Sequence, residues 1–95
     1  MLLSVLELRP AHGYAIIDEL RSRSGDTFDL PEGTIYPALH RLEQGGLLSS
    51  HWAEQAGRRR RLYRLTRRGH RALARERQSW RSFSRAVGRV LRPAL

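Results

Sequence analysis

The sequence predicts a mainly α-helical chain carrying one small β-hairpin, and three observations support this. Before residue 47 the apolar residues recur at helical spacing in three short segments. Between 47 and 65 the pattern becomes strand-like, and after Thr66 apolar residues recur every seven positions. Three helices, a two-stranded hairpin and a long last helix, in that order, describe a winged helix-turn-helix followed by a C-terminal dimerisation helix. The expected division is residues 1–65 for the DNA-binding unit and 66–95 for the dimerisation helix.

The first helix rests on Leu2, Leu3, Val5, Leu6 and Leu8 and ends before Pro10, since proline disfavours helical backbone in the residue preceding it. It begins abruptly at Met1 and reads as clipped. Ala11-His12-Gly13 turns into a second helix, Tyr14 to about Arg23, with Tyr14, Ile17 and Leu20 as its inner series. Asp18 and Glu19 decorate its other side and Ser24-Gly25 closes it. Phe28 and Leu30 are expected to pin the connector to the core.

The third helix organises the rest. Ile35, Leu39 and Leu42 form one narrow apolar stripe, while Thr34, Pro37, His40, Arg41 and Gln44 point away from it and Tyr36 lies at its flank. Gly45-Gly46 stops the helix. A hydroxyl, an aromatic and an arginine turned outward are side chains that can meet phosphates and base edges. Tyr36 has two readings, as a DNA contact or as a core residue packed on the hairpin. His40 either reaches DNA or is simply solvated.

The hairpin is expected from strands at residues 47–53 and 61–65, with Leu48, Trp52, Leu62 or Tyr63, and Leu65 facing inward. Between them a polar tip would carry Arg58, Arg59, Arg60 and Arg61. Like charges at a tip repel one another, and only Glu54 stands near in sequence, so a phosphate backbone is the natural counter-charge. Thr66 suits an N-cap for the last helix, although position 69 holds glycine in place of the Glu or Gln of a full capping box. Leu73, Trp80 and Val87 lie seven apart, with Phe83 and Val90-Leu91 filling the alternate seam, and Pro93 marks the end.

Composition agrees with a nucleic-acid partner. The net charge is +9, every one of the 18 basic residues is arginine, and all but three of them lie from Arg41 onward. A chain of 95 residues fits one compact unit that buries only about 60–65% of its unfolded surface, which favours a partner subunit. With no cysteine, no apolar run of membrane-spanning length and no leader-like start, the chain reads as cytoplasmic.

Leu8-Arg-Pro-Ala-His-Gly-Tyr14, Gly33-Thr-Ile-Tyr-Pro-Ala-Leu-His-Arg-Leu-Glu43, Gly46-Leu-Leu48, Gly57-Arg-Arg-Arg-Arg-Leu-Tyr-Arg-Leu-Thr66 and Gly69 together resemble the PadR family of transcriptional regulators. The resemblance spans nearly the whole chain, in order. It implies a homodimeric winged-helix repressor on a pseudo-palindromic operator, released by a small molecule or stress signal. One helix after the wing matches the smaller subfamily. It also implies that the third helix reads DNA, with Thr34 and Tyr36 offering hydroxyls and Arg41 a charge to the backbone. Trp80 matches the position of a tryptophan that, in some small members, lines a pore between subunits and stacks on flat hydrophobic ligands. On the residues alone, Trp80 is equally a plain packing residue. Leu30-Pro-Glu32 departs from the family, which often places a serine or similar cap there.

An enzyme has little support. His12, His40, His51 and His70 are scattered without metal-ligand spacing, and Asp26 and Asp29 lack a basic partner. There is no cysteine nucleophile, glycine-rich phosphate loop or nucleophile elbow, so neither a cofactor nor a metal is expected. The rival reading is an arginine-rich RNA-binding module, which should display exposed aromatics for stacking on unpaired bases. Most aromatics here are expected inward.

Overall fold

A computed structural model describes residues 1–93. The elements are α1 Leu2–Val5, α2 Gly13–Arg23, α3 Glu32–Gln44, β1 Leu48–Gln55, β2 Arg58–Leu65 and α4 Arg67–Leu91. This is the expected order, mainly helical with one antiparallel hairpin. Ala11 adds a single bridge to Tyr63 on the free edge of β2, tying the α1–α2 turn to the hairpin.

The core gathers one stripe from each element: Leu3 and Leu6, Ile16 and Leu20, Ile35 and Leu39, then Leu48, Tyr63 and Leu73. In α3 the expected stripe holds, with Leu42 packed at its edge. In α2 the stripe turns by one residue: Gly13, Ile16 and Leu20 are buried, whereas Tyr14 is exposed and Ile17 only half-buried. A series taken in steps of three winds back by about 60° per step, so Tyr14 stands about 120° from Leu20 and cannot share its face. Phe28 is also exposed, contrary to expectation, while Leu30 packs against the core.

Local chemistry explains the helix ends. His12 Nδ1 accepts from the Ala15 amide at 3.3 Å and caps α2. Pro31 precedes α3 with no side-chain cap, and its carbonyl accepts from Thr34 and Ile35. Thr66 Oγ1 accepts from the Gly69 amide at 3.0 Å and donates to the Gly46 carbonyl at 2.6 Å, seating α4 on the end of α3. Gly69 lies so close to the Leu47 carbonyl that a Cβ there would collide with it.

The hairpin departs most from expectation. Its strands pair over eight residues, from Leu48↔Leu65 to Gln55↔Arg58, and turn through Ala56 and Gly57. Both turn residues have positive φ, 51° and 76°, which suits the tight two-residue hairpin turn whose twist matches that of the strands. Arg58 to Arg61 therefore lie within β2 and not at the tip. Only the Leu48, Tyr63 and Leu65 end of the hairpin covers the core. The rest extends beyond it, which leaves Trp52 55% exposed instead of inward.

Leu73, expected in a seam between subunits, is 2% exposed and belongs to this chain's own core. The first three turns of α4 pack on the winged unit, as far as Glu76 and Arg77, and the helix then runs on past it. Trp80, Phe83, Val87 and Val90 are exposed along that extension.

Candidate nucleic-acid interface

A recess of roughly 440 Å³ opens between the start of α2, the flank of α3 and the hairpin, lined by His12, Gly13, Tyr14, Tyr36, Trp52 and Arg58 to Arg61. Strand pleating divides the arginines. Arg59 and Arg61 share a face with their cross-strand partners Glu54 and Trp52, whereas Arg58 and Arg60 point to the other.

Each arginine has a distinct setting. The Arg61 Nε donates to Ser50 Oγ at 2.7 Å, and its guanidinium stands 4.0 Å from the Glu43 carboxylate. Ser50 Oγ in turn donates to Glu43. An acid from α3 thus reaches the wing, a relation that Glu54 alone in the sequence does not reveal. Arg59 and Arg61 flank the Trp52 ring at 5.2 and 5.3 Å from its centroid, within cation–π range. Arg60 Nη1 stands 3.1 Å from both nitrogens of the His12 imidazole. Burial, and then the nearby Arg60 charge, push the His12 pKa below its ordinary value, which keeps the ring neutral as an N-cap acceptor. Arg58 and Arg59 are exposed.

Thr34, Pro37, His40 and Arg41 are all exposed on α3, turned away from its core stripe as expected. They do not form one patch with the wing. Tyr36 lies on the wing side, while Thr34 and Arg41 lie on the opposite flank, beside Leu30, Ala38 and Leu42. Pro37, His40 and Gln44 occupy the outward strip between these flanks.

Tyr36 is not the core residue packed on the hairpin that one of its two sequence readings expected. Its ring rests on Gly13, and it meets Tyr14 edge-on at 6.4 Å between centroids. At 36% exposure it is still open to solvent. Burial, then Tyr14 and Glu32, raise its phenol pKa; the Glu32 carboxylate beside Tyr14 raises that phenol as well. Both phenols remain protonated donors near neutral pH, beside the arginines.

His12, Tyr14 and Trp52 are site residues that sequence reasoning missed. The signal for the first two was the His-Gly-Tyr string, whose histidine and tyrosine bracket the glycine under Tyr36. The signal for Trp52 was its strand register, opposite an arginine. Among the described residues, no group of three or more His, Asp or Glu side chains could hold a metal, and no helix is long and apolar enough to cross a membrane.

Residues 2–75 match the family model described as "Transcriptional regulator PadR-like family". The chain is 43% identical over 76 residues to Transcriptional regulator Rv3488 of Mycobacterium tuberculosis, covering 80% of this chain and 68% of that protein. A PadR family transcription regulator from Clostridium difficile R20291 superposes with a TM-score of 0.83 at 33% identity, covering 96% of this chain and 94% of the other. A padr family transcriptional regulator from Eggerthella lenta likewise gives a TM-score of 0.83 at 33% identity, covering 98% and 80% of the two chains. With the winged fold, the arginine-lined recess and a family match across residues 2–75, the chain belongs to the PadR-like family of transcriptional regulators, which bind DNA and are not enzymes.

Proposed function

We propose that this regulator acts in the cytoplasm as a homodimeric repressor on a pseudo-palindromic operator. In this reading α3 enters the major groove, where Thr34, Pro37, His40 and Arg41 meet base edges and backbone. The recess beside Tyr36 straddles the phosphates, and Arg58 and Arg59 neutralise charge along them. The observation that carries the reading is the pairing of two unsatisfied surfaces on one chain. One is the arginine-lined recess; the other is the apolar strip of Trp80, Phe83, Val87 and Val90 on α4, exposed along the part of the helix that runs past the winged unit. A second copy of α4 would bury that strip.

Effector response belongs to the same proposal. Trp80 and Phe83 lie 5.9 Å apart beside Phe28 and line an apolar recess of roughly 670 Å³, a size that suits a small flat hydrophobic or aromatic molecule. No resident cofactor is part of the proposal.

The exposure of Trp52 favours a second reading, an arginine-rich RNA-binding module, because an open ring between guanidiniums can stack on an unpaired base. Selection of bound fragments from genomic DNA, with single-stranded RNA as competitor, separates the two. Inverted half-sites about one helical turn (~34 Å) apart are expected. Preference for the RNA would replace the operator reading.

A further inference from the structure

The polar ties between α4 and the winged unit end at two adjacent residues: Glu76 accepts from the Met1 amino group at 2.6 Å, and Arg77 forms a fork. Arg77 Nη1 and Nη2 donate to the two carboxylate oxygens of Glu7, each at 2.8 Å. Beyond Arg77, among the described residues, the side-chain hydrogen bonds of α4 stay within the helix, as in Arg81 to Gln78 at 3.0 Å. Glu7 lies just past α1 and directly follows the core residues Val5 and Leu6, which anchor its backbone to the winged unit. The fork holds that carboxyl below its usual range, and His70 and Arg23 add positive charge around it.

We infer that the Glu7–Arg77 fork sets the angle at which α4 leaves the winged unit, and so sets the spacing between half-sites that the protein accepts. This rests on the homodimeric reading above. An exposed ion pair adds little stability, but a bidentate fork restricts direction, because both N–H bonds must stay aligned. The helix then acts as a lever. From Arg77 to the end of α4 at Leu91 is about 21 Å at ~1.5 Å per residue, so a tilt of ~10° moves the far end by roughly 3.6 Å. That is close to the ~3.4 Å rise per base pair. Both helices of a dimer would tilt together and their displacements add, so a tilt of only ~5° at each fork shifts the readers by about one step of DNA. Glu7 and Arg77 are therefore positioning residues, remote from the DNA surface.

The test uses the intact chain on duplexes whose two half-sites are separated by spacers lengthened or shortened one base pair at a time. A single half-site probe and sedimentation serve as controls. The wild type should prefer one spacing over its neighbours by about tenfold, and Glu7→Gln or Arg77→Gln should reduce that preference to about threefold. The double variant should reduce it no further, since the two residues act as one unit. Arg77→Lys keeps the charge but cannot form the fork, and should broaden the profile as Arg77→Gln does. Single half-site binding and dimer mass should not change. Variants as sharp as a sharply selective dimeric wild type, or a double variant with twice the broadening, would overturn this inference alone. A monomeric wild type would overturn the homodimeric reading and this inference with it.

Discussion

Tyr36 of α3 lies directly against the Cα of Gly13, the first residue of α2. A methyl group at position 13 would stand 2.6 Å from Tyr36 Cε1 and nearer still to its hydroxyl. This packing explains why the two motifs occur together, for the glycine of one makes room for the tyrosine of the other. Replacing a helical glycine by alanine ordinarily stabilises by about 0.4–1 kcal/mol. Here overpacking, about 1–3 kcal/mol, outweighs that gain. Gly13→Ala should lower the melting temperature and weaken DNA binding by displacing Tyr36. Combined with Tyr36→Ala, the same change should cost much less. Additive losses in thermal denaturation would disprove the role of this packing.

The four wing arginines should not be equivalent. Arg58→Ala and Arg59→Ala should weaken binding to all duplexes and lower the salt slope by about 0.9 for each phosphate left without its arginine. Arg61 is partly committed to Glu43 and Ser50, so Arg61→Ala should change the salt slope less and destabilise the hairpin more. Replacing all four by alanine should nearly abolish the salt dependence contributed by the wing. Titration at several salt concentrations gives each slope, and an unchanged slope in the quadruple variant would remove the wing from the DNA interface.

Thr34 lies on the flank of α3 away from the wing, where base edges are within reach of a reading helix. Thr34→Ala should therefore lower affinity for the operator several-fold while leaving affinity for random duplex nearly intact. Tyr36→Phe, beside the arginine-lined recess, should lower both. If Thr34→Ala weakened both DNAs equally, its role would be backbone positioning.

Val87 lies on the part of α4 that extends past the winged unit. Val87→Glu would place an unpaired carboxylate in the proposed seam, at several kcal/mol against association unless it takes up a proton. Sedimentation should give a dimer, twice the 11.0 kDa chain, for the wild type and a monomer for the variant. Operator binding should fall with it, while the circular dichroism of the winged unit stays. A variant that still dimerises would move the seam elsewhere.

His12 titrates against folding. Its folded pKa is depressed below the ordinary histidine value by burial and by Arg60. Above the unfolded value, about 6.5, the ring is neutral in both states and its capping bond contributes fully. As pH falls through the folded value, the unfolded chain binds the proton first and stability is lost. His12→Asn replaces the capping Nδ1 with an amide oxygen that does not titrate, so its melting temperature should vary less between pH 7.5 and pH 5 than that of the wild type. Equal pH dependence in the two proteins would rule out His12 as the source.

By itself the sequence determined the element order, the α3 stripe and the Thr66 cap, because each depends on residues within a few positions of one another. Periodicity brings Ile35 and Leu39 to one face whatever they pack against, and Thr66 needs only the amide three residues on. It also determined the sign of the charge and the family resemblance. The tertiary structure decided what depends on partners distant in the chain. The turn of α2 by one residue follows from the close approach of Gly13 and Tyr36, which are 23 positions apart. Leu73 left the expected seam because α1 and β2 pack against α4 and supply a core for it. Arg58 to Arg61 became strand residues with four different neighbours because the turn closed at Ala56-Gly57, and pairing then propagated back along both strands. A local pattern specifies which face a residue occupies along its own element, whereas only packing specifies what that face meets.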